Sequence, residues 1–184
     1  MAINLTKGQR IDIGLQRVGI GLGWNPNEQD SGDEFDLDAS AFLLAENGKI
    51  PDNGFIVYYN NPVSMDSSVS STGDNRTGEG DGDDETLMAD LSKVDSRISE
   101  IVVVVTIHEA AERKQNFGQV RESFIRIYNA ATNEEICKYE LDEDFSSESV
   151  VEFGRLYRRN GQWKFEAVGR GHQGGLQAMV DRFA

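Results

Sequence analysis

Apolar side chains recur at every second position through most of this chain, and that spacing constrains its fold more than any other feature. Ile3, Leu5, Ile11 and Ile13 alternate with polar residues or glycine, as do Val18, Ile20 and Leu22. Phe35, Leu37, Ala39, Ala41 and Leu43 share one face. Residues 55–59, 100–107, 123–129, 135–141, 150–158 and 163–168 are rich in β-branched and aromatic types. A period of two marks strands with one buried face. Turn formers separate these runs: Asn47-Gly48, Pro51-Asp52-Asn53-Gly54, Ala131-Thr132-Asn133 and Asn160-Gly161. The pattern predicts an all-β fold, a two-sheet antiparallel β-sandwich forming a single domain over residues 1–184. Short peripheral helices are expected at two places. Leu176, Met179, Val180 and Phe183 fall at i, i+3, i+4 and i+7, which predicts an amphipathic C-terminal helix. Residues 109–115 form the other candidate.

Charge is unevenly placed. Residues 28–38 hold six carboxylates and no base. Residues 74–90 hold seven carboxylates and Arg76, a net −6. The two segments thus carry −12 of the chain's −14. Such a balance argues against nucleic acid and against anionic membrane surfaces as partners. No run approaches the ~20 apolar residues of a membrane span, so direct insertion is not expected. The N-terminal residues have no apolar signal-peptide core. Cys137 is the single cysteine and lies in a strand pattern, as a small buried hydrophobe would. A cytoplasmic location follows by default.

Acidic residues interleaved with Gly, Asn and Ser suit calcium. That ion takes six to eight oxygens, and glycine lets backbone carbonyls turn inward to supply some of them. On a strand, Asp36 and Asp38 point to one face about 6.6 Å apart, opposite Phe35, Leu37 and Ala39. A bridging cation would relieve their repulsion. Residues 61–85 read as a long loop with few apolar side chains, which a ligand would have to organise. Residues 73–85 form its candidate lid, with glycine at 73, 78, 80 and 82. The spacing is not that of an EF-hand, because Arg76, Gly78 and Glu79 occupy positions that need other residues. Thirteen carboxylates exceed the needs of one ion, so two adjacent ions are expected.

The chain resembles the TerD-like tellurite-resistance and stress-response family. The resemblance rests on L-x-K-G-Q (residues 5–9), G-L-G-W (21–24), F-D-L-D-A-S (35–40), G-D-N-R-T-G-E-G-D-G-D-D-E (73–85), Q-N-F-G-Q-V (115–120) and F-I-R-I-Y (124–128). It implies a calcium-binding β-sandwich without catalytic activity. It also implies a sensor or scaffold role among other proteins of a stress-response complex, including membrane-bound relatives. Carried over residue by residue, the metal ligands are Asp36, Asp38, Asp74, Asn75, Gly78, Asp81, Asp83, Asp84 and Glu85.

The alternative is a magnesium-dependent phosphoryl-transfer enzyme using Asp36 and Asp38, since Asp36-Leu37-Asp38-Ala39-Ser40 is close to the D-x-D signature of haloacid-dehalogenase-like phosphatases. The chain lacks the alternating βα pattern that such an enzyme needs. Gly19-Ile20-Gly21-Leu22-Gly23 is followed by no helix, so it reads as close backbone packing rather than a nucleotide loop. Residues 169–175 read as the connector to the last helix. Arg155, Arg158, Arg159 and Lys164 form a modest basic patch, a candidate dock for an acidic partner.

Overall fold

The computed structural model describes residues 2–27, 32–72, 82–141 and 145–184. Twelve strands form two six-stranded sheets. In chain order they are β1 (Ile3–Leu5), β2 (Arg10–Ile13), β3 (Arg17–Gly23), β4 (Leu37–Ala45), β5 (Ile56–Val57) and β6 (Val69–Ser71). There follow β7 (Glu85–Asp90), β8 (Ile98–Ile107), β9 (Phe124–Asn129), β10 (Glu135–Glu140), β11 (Val150–Arg159) and β12 (Gln162–His172). The first sheet runs β1-β10-β9-β3-β7-β6 and the second β2-β12-β11-β8-β4-β5. All pairings are antiparallel except β1 with β10, which is parallel. The expected sandwich is therefore the observed one, with one parallel edge.

The predicted alternation places Val18, Ile20, Leu22, Leu37, Ala39, Ala41 and Leu43 in the core between the sheets. The apolar run 101–105 in β8 breaks the alternation, and the structure gives the reason. Ile101, Val103 and Val105 face that core, while Val102 and Val104 face a second one with Phe42, Leu44, Ile56 and Val150. Helix α2 (Leu176–Phe183), the predicted C-terminal helix, covers the second core with Met179 and Phe183. Phe183 packs on Phe42 with ring centroids 5.0 Å apart. A strand covered on both faces has no polar side to show.

Turn chemistry also follows the sequence. Asn160 and Gly161 both adopt positive φ, at 52° and 74°, joining β11 to β12 as a tight hairpin requires.

Four expectations need correction. The predicted strand 55–59 shrinks to Ile56–Val57, because Asp52 caps a short 3-10 turn over Asn53–Phe55. The second helix, α1 (Ala110–Arg113), spans only four residues, between left-handed Glu109 and Lys114. The supposed connector after residue 168 is strand up to His172. Last, the first half of the 61–85 loop is not structureless, for it carries hydrogen bonds and a strand of its own. Asp66 accepts hydrogen bonds there from the hydroxyls of Ser64 and Ser68 and from the amides of Ser68 and Asp95. Val63 bridges Ser70, and β6 pairs with β7.

Candidate metal site

One end of the sandwich gathers the C-terminal end of β3, the N-terminal end of β4 and the N-terminal end of β7. Backbone contacts fix the arrangement. The Trp24 amide donates to Asp84 Oδ2 at 2.8 Å, and the Asp84 amide donates to the Leu22 carbonyl at 2.7 Å. The Trp24 indole donates to the Phe35 carbonyl at 3.1 Å. Gln115 Nε2 donates to the carbonyls of Asp33 and Glu34, bracing the approach to β4.

Glu85 is the most enclosed of the candidate ligands among the described residues, at 6% exposure. It occupies a core-facing position of β7, followed inward by Leu87 and Ala89. Its Oε2 accepts the Ala39 amide of β4 at 2.6 Å and so ties one sheet to the other. Asp84 is half-buried, and its carboxyl is pushed up by burial, with the charge of Asp83 adding to the rise and the Trp24 amide opposing it. A carboxylate held against its solvation preference gains from a nearby cation.

Asp38 lies in β4, and Asp36 immediately precedes the strand. Phe35, Leu37 and Ala39 are buried on the opposite side, and Asp36 Oδ1 is shut off from solvent. The Asp36 carbonyl accepts the His108 amide at 2.8 Å, and His108 Nδ1 lies 3.9 Å from Asp38 Oδ2. Asp83 is placed differently. It forms a two-pronged pair with Arg126 on the outer face of the first sheet, with Nε–Oδ1 at 2.8 Å and Nη2–Oδ2 at 2.7 Å. Asp74, Asn75, Gly78 and Asp81 lie outside the described residues. Among the described residues, no group of three or more acidic, histidine or cysteine side chains converges as a metal cluster.

Sequence reasoning missed Arg126, although the glycine alternation pointed to it. Gly19, Gly21 and Gly23 pair in register with Tyr128, Arg126 and Phe124. A Cβ on Gly21 would stand 2.3 Å from Asp83 Oδ2, and one on Gly19 would stand 2.0 Å from the Tyr128 ring. The three glycines thus form a bed on which larger side chains lie flat. Arg126 stacks on Tyr128 at 4.4 Å. Three of the four cations of the basic patch are engaged, and Arg159 is exposed. Arg155 pairs with Glu100 and Glu166, Lys164 with Asp12, and Arg158 stacks on Trp163 while donating to two carbonyls. Cys137 is fully buried, and burial pushes its thiol up to about 12, far from a nucleophile's range.

A β-sandwich whose acidic residues collect at one end of both sheets is the architecture that the sequence comparisons identify. The TerD domain matches residues 1–183, and the chain belongs to that family. It is 48% identical to the tellurium resistance protein TerD of Serratia marcescens, over all of this chain and 97% of that one. It is 49% identical to general stress protein 16U of Bacillus subtilis, over 98% of this chain and 96% of that one. A solved homologue of the telluride resistance protein TerD from Streptomyces coelicolor A3(2) has the same fold, with a TM-score of 0.74 at 21% identity over 91% of this chain and 96% of that one. Among the described residues, no helix is long and apolar enough to cross a membrane.

Proposed function

We propose that this protein binds calcium at the acidic end of the sandwich and acts as a sensor or scaffold in a cytoplasmic stress response, without catalysing a reaction. The observation that carries the reading is the enclosure of carboxylate oxygens there: Glu85 between the sheets, Asp36 Oδ1 shut off from solvent, and Asp84 pushed up by burial. Hard oxygens held in partial burial fit a hard divalent cation, which neutralises charge that the fold has already desolvated. Asp36, Asp38, Asp84 and Glu85 would hold the ion from the strand ends, with Asp74, Asn75, Gly78 and Asp81 as the remaining candidates and room for a second ion. When bound, calcium supplies charge neutralisation and a link between strand ends. The names of relatives, tellurium resistance protein and general stress protein, support the stress-response setting. The partners in this reading are other proteins of a stress-response complex, membrane-bound relatives among them.

The magnesium phosphoryl-transfer alternative has weaker support. Asp36 immediately precedes an antiparallel strand that pairs with β8 and β5, not the C-terminal end of a parallel strand in a βα unit. Calorimetric titration with calcium, with magnesium as the control, tests the proposal. Tighter binding of calcium is expected. Equal affinities, or turnover of a phosphate ester that is lost in Asp36→Asn, would overturn it.

A further inference from the structure

The opposite end of the first sheet carries a site of the other sign. A cavity of about 250 Å³ opens on its outer face, with Arg17, Lys93, Ser67, Ser70, Met88 and Asp90 among its walls. Among the described residues, neither the Arg17 guanidinium nor the Lys93 ammonium makes a hydrogen bond or ion pair, and the Ser67 and Ser70 hydroxyls make no hydrogen bond. Elsewhere in the protein the cations are mostly spent, as Arg126 and Arg155 are on carboxylates. The carboxylate in the wall is held first by Ser92, whose hydroxyl and amide donate to Asp90 Oδ1, and the charges of Lys93 and Arg17 help to keep it below the usual carboxylate range. The cavity therefore has two cations, two free hydroxyls and one engaged carboxylate, a local net of +1 in a chain of −14.

Ser67 reaches the rim because its backbone is left-handed, at φ 60°, in the turn closed by its amide on the Ser64 carbonyl. Ser70 projects from β6 beside Met88, its partner in register. Arg17 stands opposite Asp90, and Leu22 opposite Glu85, on the same pair of strands. Five residues of strand put Arg17 roughly 17 Å from the register position of Glu85. That is about two screening lengths at physiological salt, so Glu85 acts only weakly on an anion held by Arg17.

We propose that this cavity binds a small tetrahedral oxyanion of the phosphate class. A guanidinium fork, an ammonium and two hydroxyls supply donors of the kind that recognise such oxygens. The volume lies below that of typical organic-ligand pockets, which suits a small anion with its water. The site is independent of the calcium reading, and the test is run without divalent cations so that the two fail separately.

The experiment is an amide chemical-shift titration with inorganic phosphate, at ionic strength held constant with chloride. Saturable shifts are expected at the amides of residues 67–70 and 88–90. The double variant Arg17→Ala/Lys93→Ala is expected to bind about tenfold more weakly or worse, the scale of lost charge-assisted hydrogen bonds. A control double variant, Lys49→Ala/Arg159→Ala, removes two exposed cations elsewhere and is expected to titrate as the parent does. All four side chains are exposed, so folding is preserved. Shifts that drift without saturating, or equal titration of the two double variants, would overturn the proposal.

Discussion

Glu85 Oε2 accepts the Ala39 amide at 2.6 Å across the gap between the two sheets. The contact satisfies a donor on β4 at a place beyond the reach of its edge partner, since β5 pairs only with Ala41 and Phe42. Glu85→Ala removes the acceptor and strands a buried amide, which costs roughly 1–3 kcal/mol. Glu85→Gln keeps a carbonyl oxygen and loses less. Denaturant unfolding in calcium-free buffer is expected to rank the parent and Gln variant above the Ala variant. Equal midpoints for Ala and Gln would show that the contact adds nothing to stability.

Asp38 and Asp83 are expected to separate when each is changed to Asn. Asp38 stands on the strand face with Asp36, so Asp38→Asn should weaken calcium binding by about tenfold or more, the scale on which ligand charge tunes affinity. The calcium-free variant should remain folded. Asp83 is held by Arg126 and only 10% exposed, so Asp83→Asn should cost roughly 1.5–3 kcal/mol of stability and leave calcium affinity closer to the parent's. Calorimetry and unfolding on both variants check the contrast.

Asp66 makes stability depend on acid. Burial opposes its ionisation, but the Asp95 amide, the Ser64 and Ser68 hydroxyls and the Ser68 amide outweigh that and hold its carboxyl below the ordinary range. The folded state therefore binds this proton less readily than the unfolded one. The stabilisation is full above the unfolded pKa of about 3.9 and is lost as pH falls through the lower folded value. Asp66→Ala is expected to flatten that acid limb and to lower stability at pH 7. It should also expose the amides of residues 64–69 to exchange. In the parent those amides should be protected with or without calcium. Protection that appeared only with calcium would contradict the hydrogen bonds found here.

Calcium is expected to raise the melting temperature. An ion that binds only the folded state adds about 2.7 kcal/mol at one hundred times its dissociation constant. A scan with calcium, then with excess EDTA, should show the rise and its reversal, with magnesium giving less. A calcium-loaded protein with an unchanged melting curve would uncouple the ion from folding.

The sandwich was legible because half-buried strands write their pleat into the sequence, as Val18-Gly19-Ile20-Gly21-Leu22 does. The missed strands share one cause: polar or glycine residues in places where the backbone is nonetheless paired. β12 continues through Gly169 and Gly171, where side chains would strike Tyr139 and Phe145. β6 is Val-Ser-Ser, and its turn is stapled by Asp66, which a local pattern does not reveal. β7 opens with a carboxylate in a core-facing slot, so Glu85 read as the end of the candidate lid rather than as the start of a strand. The burial of Phe35, Leu37 and Ala39, which alternate with Asp36 and Asp38, came directly from period two. The diversion of Asp83 to Arg126 joins positions 43 residues apart and has no local signature.

The edges of the sandwich bear on how the chain is made. β1 closes the first sheet against β10, and β2 closes the second against β12, with Ile3 opposite Cys137 and Ile11 opposite Phe165. Both early strands must therefore wait on the ribosome's surface until more than 130 residues have followed. Neither of these edges can close before β10 and β12 have been made, and folding is left to long-range closures that are intrinsically slow. Until those closures form, β10 and β12 each have one edge open to strands of other chains. A nascent copy under stress is thus most vulnerable to aggregation at the two borders that its own N-terminus will later seal.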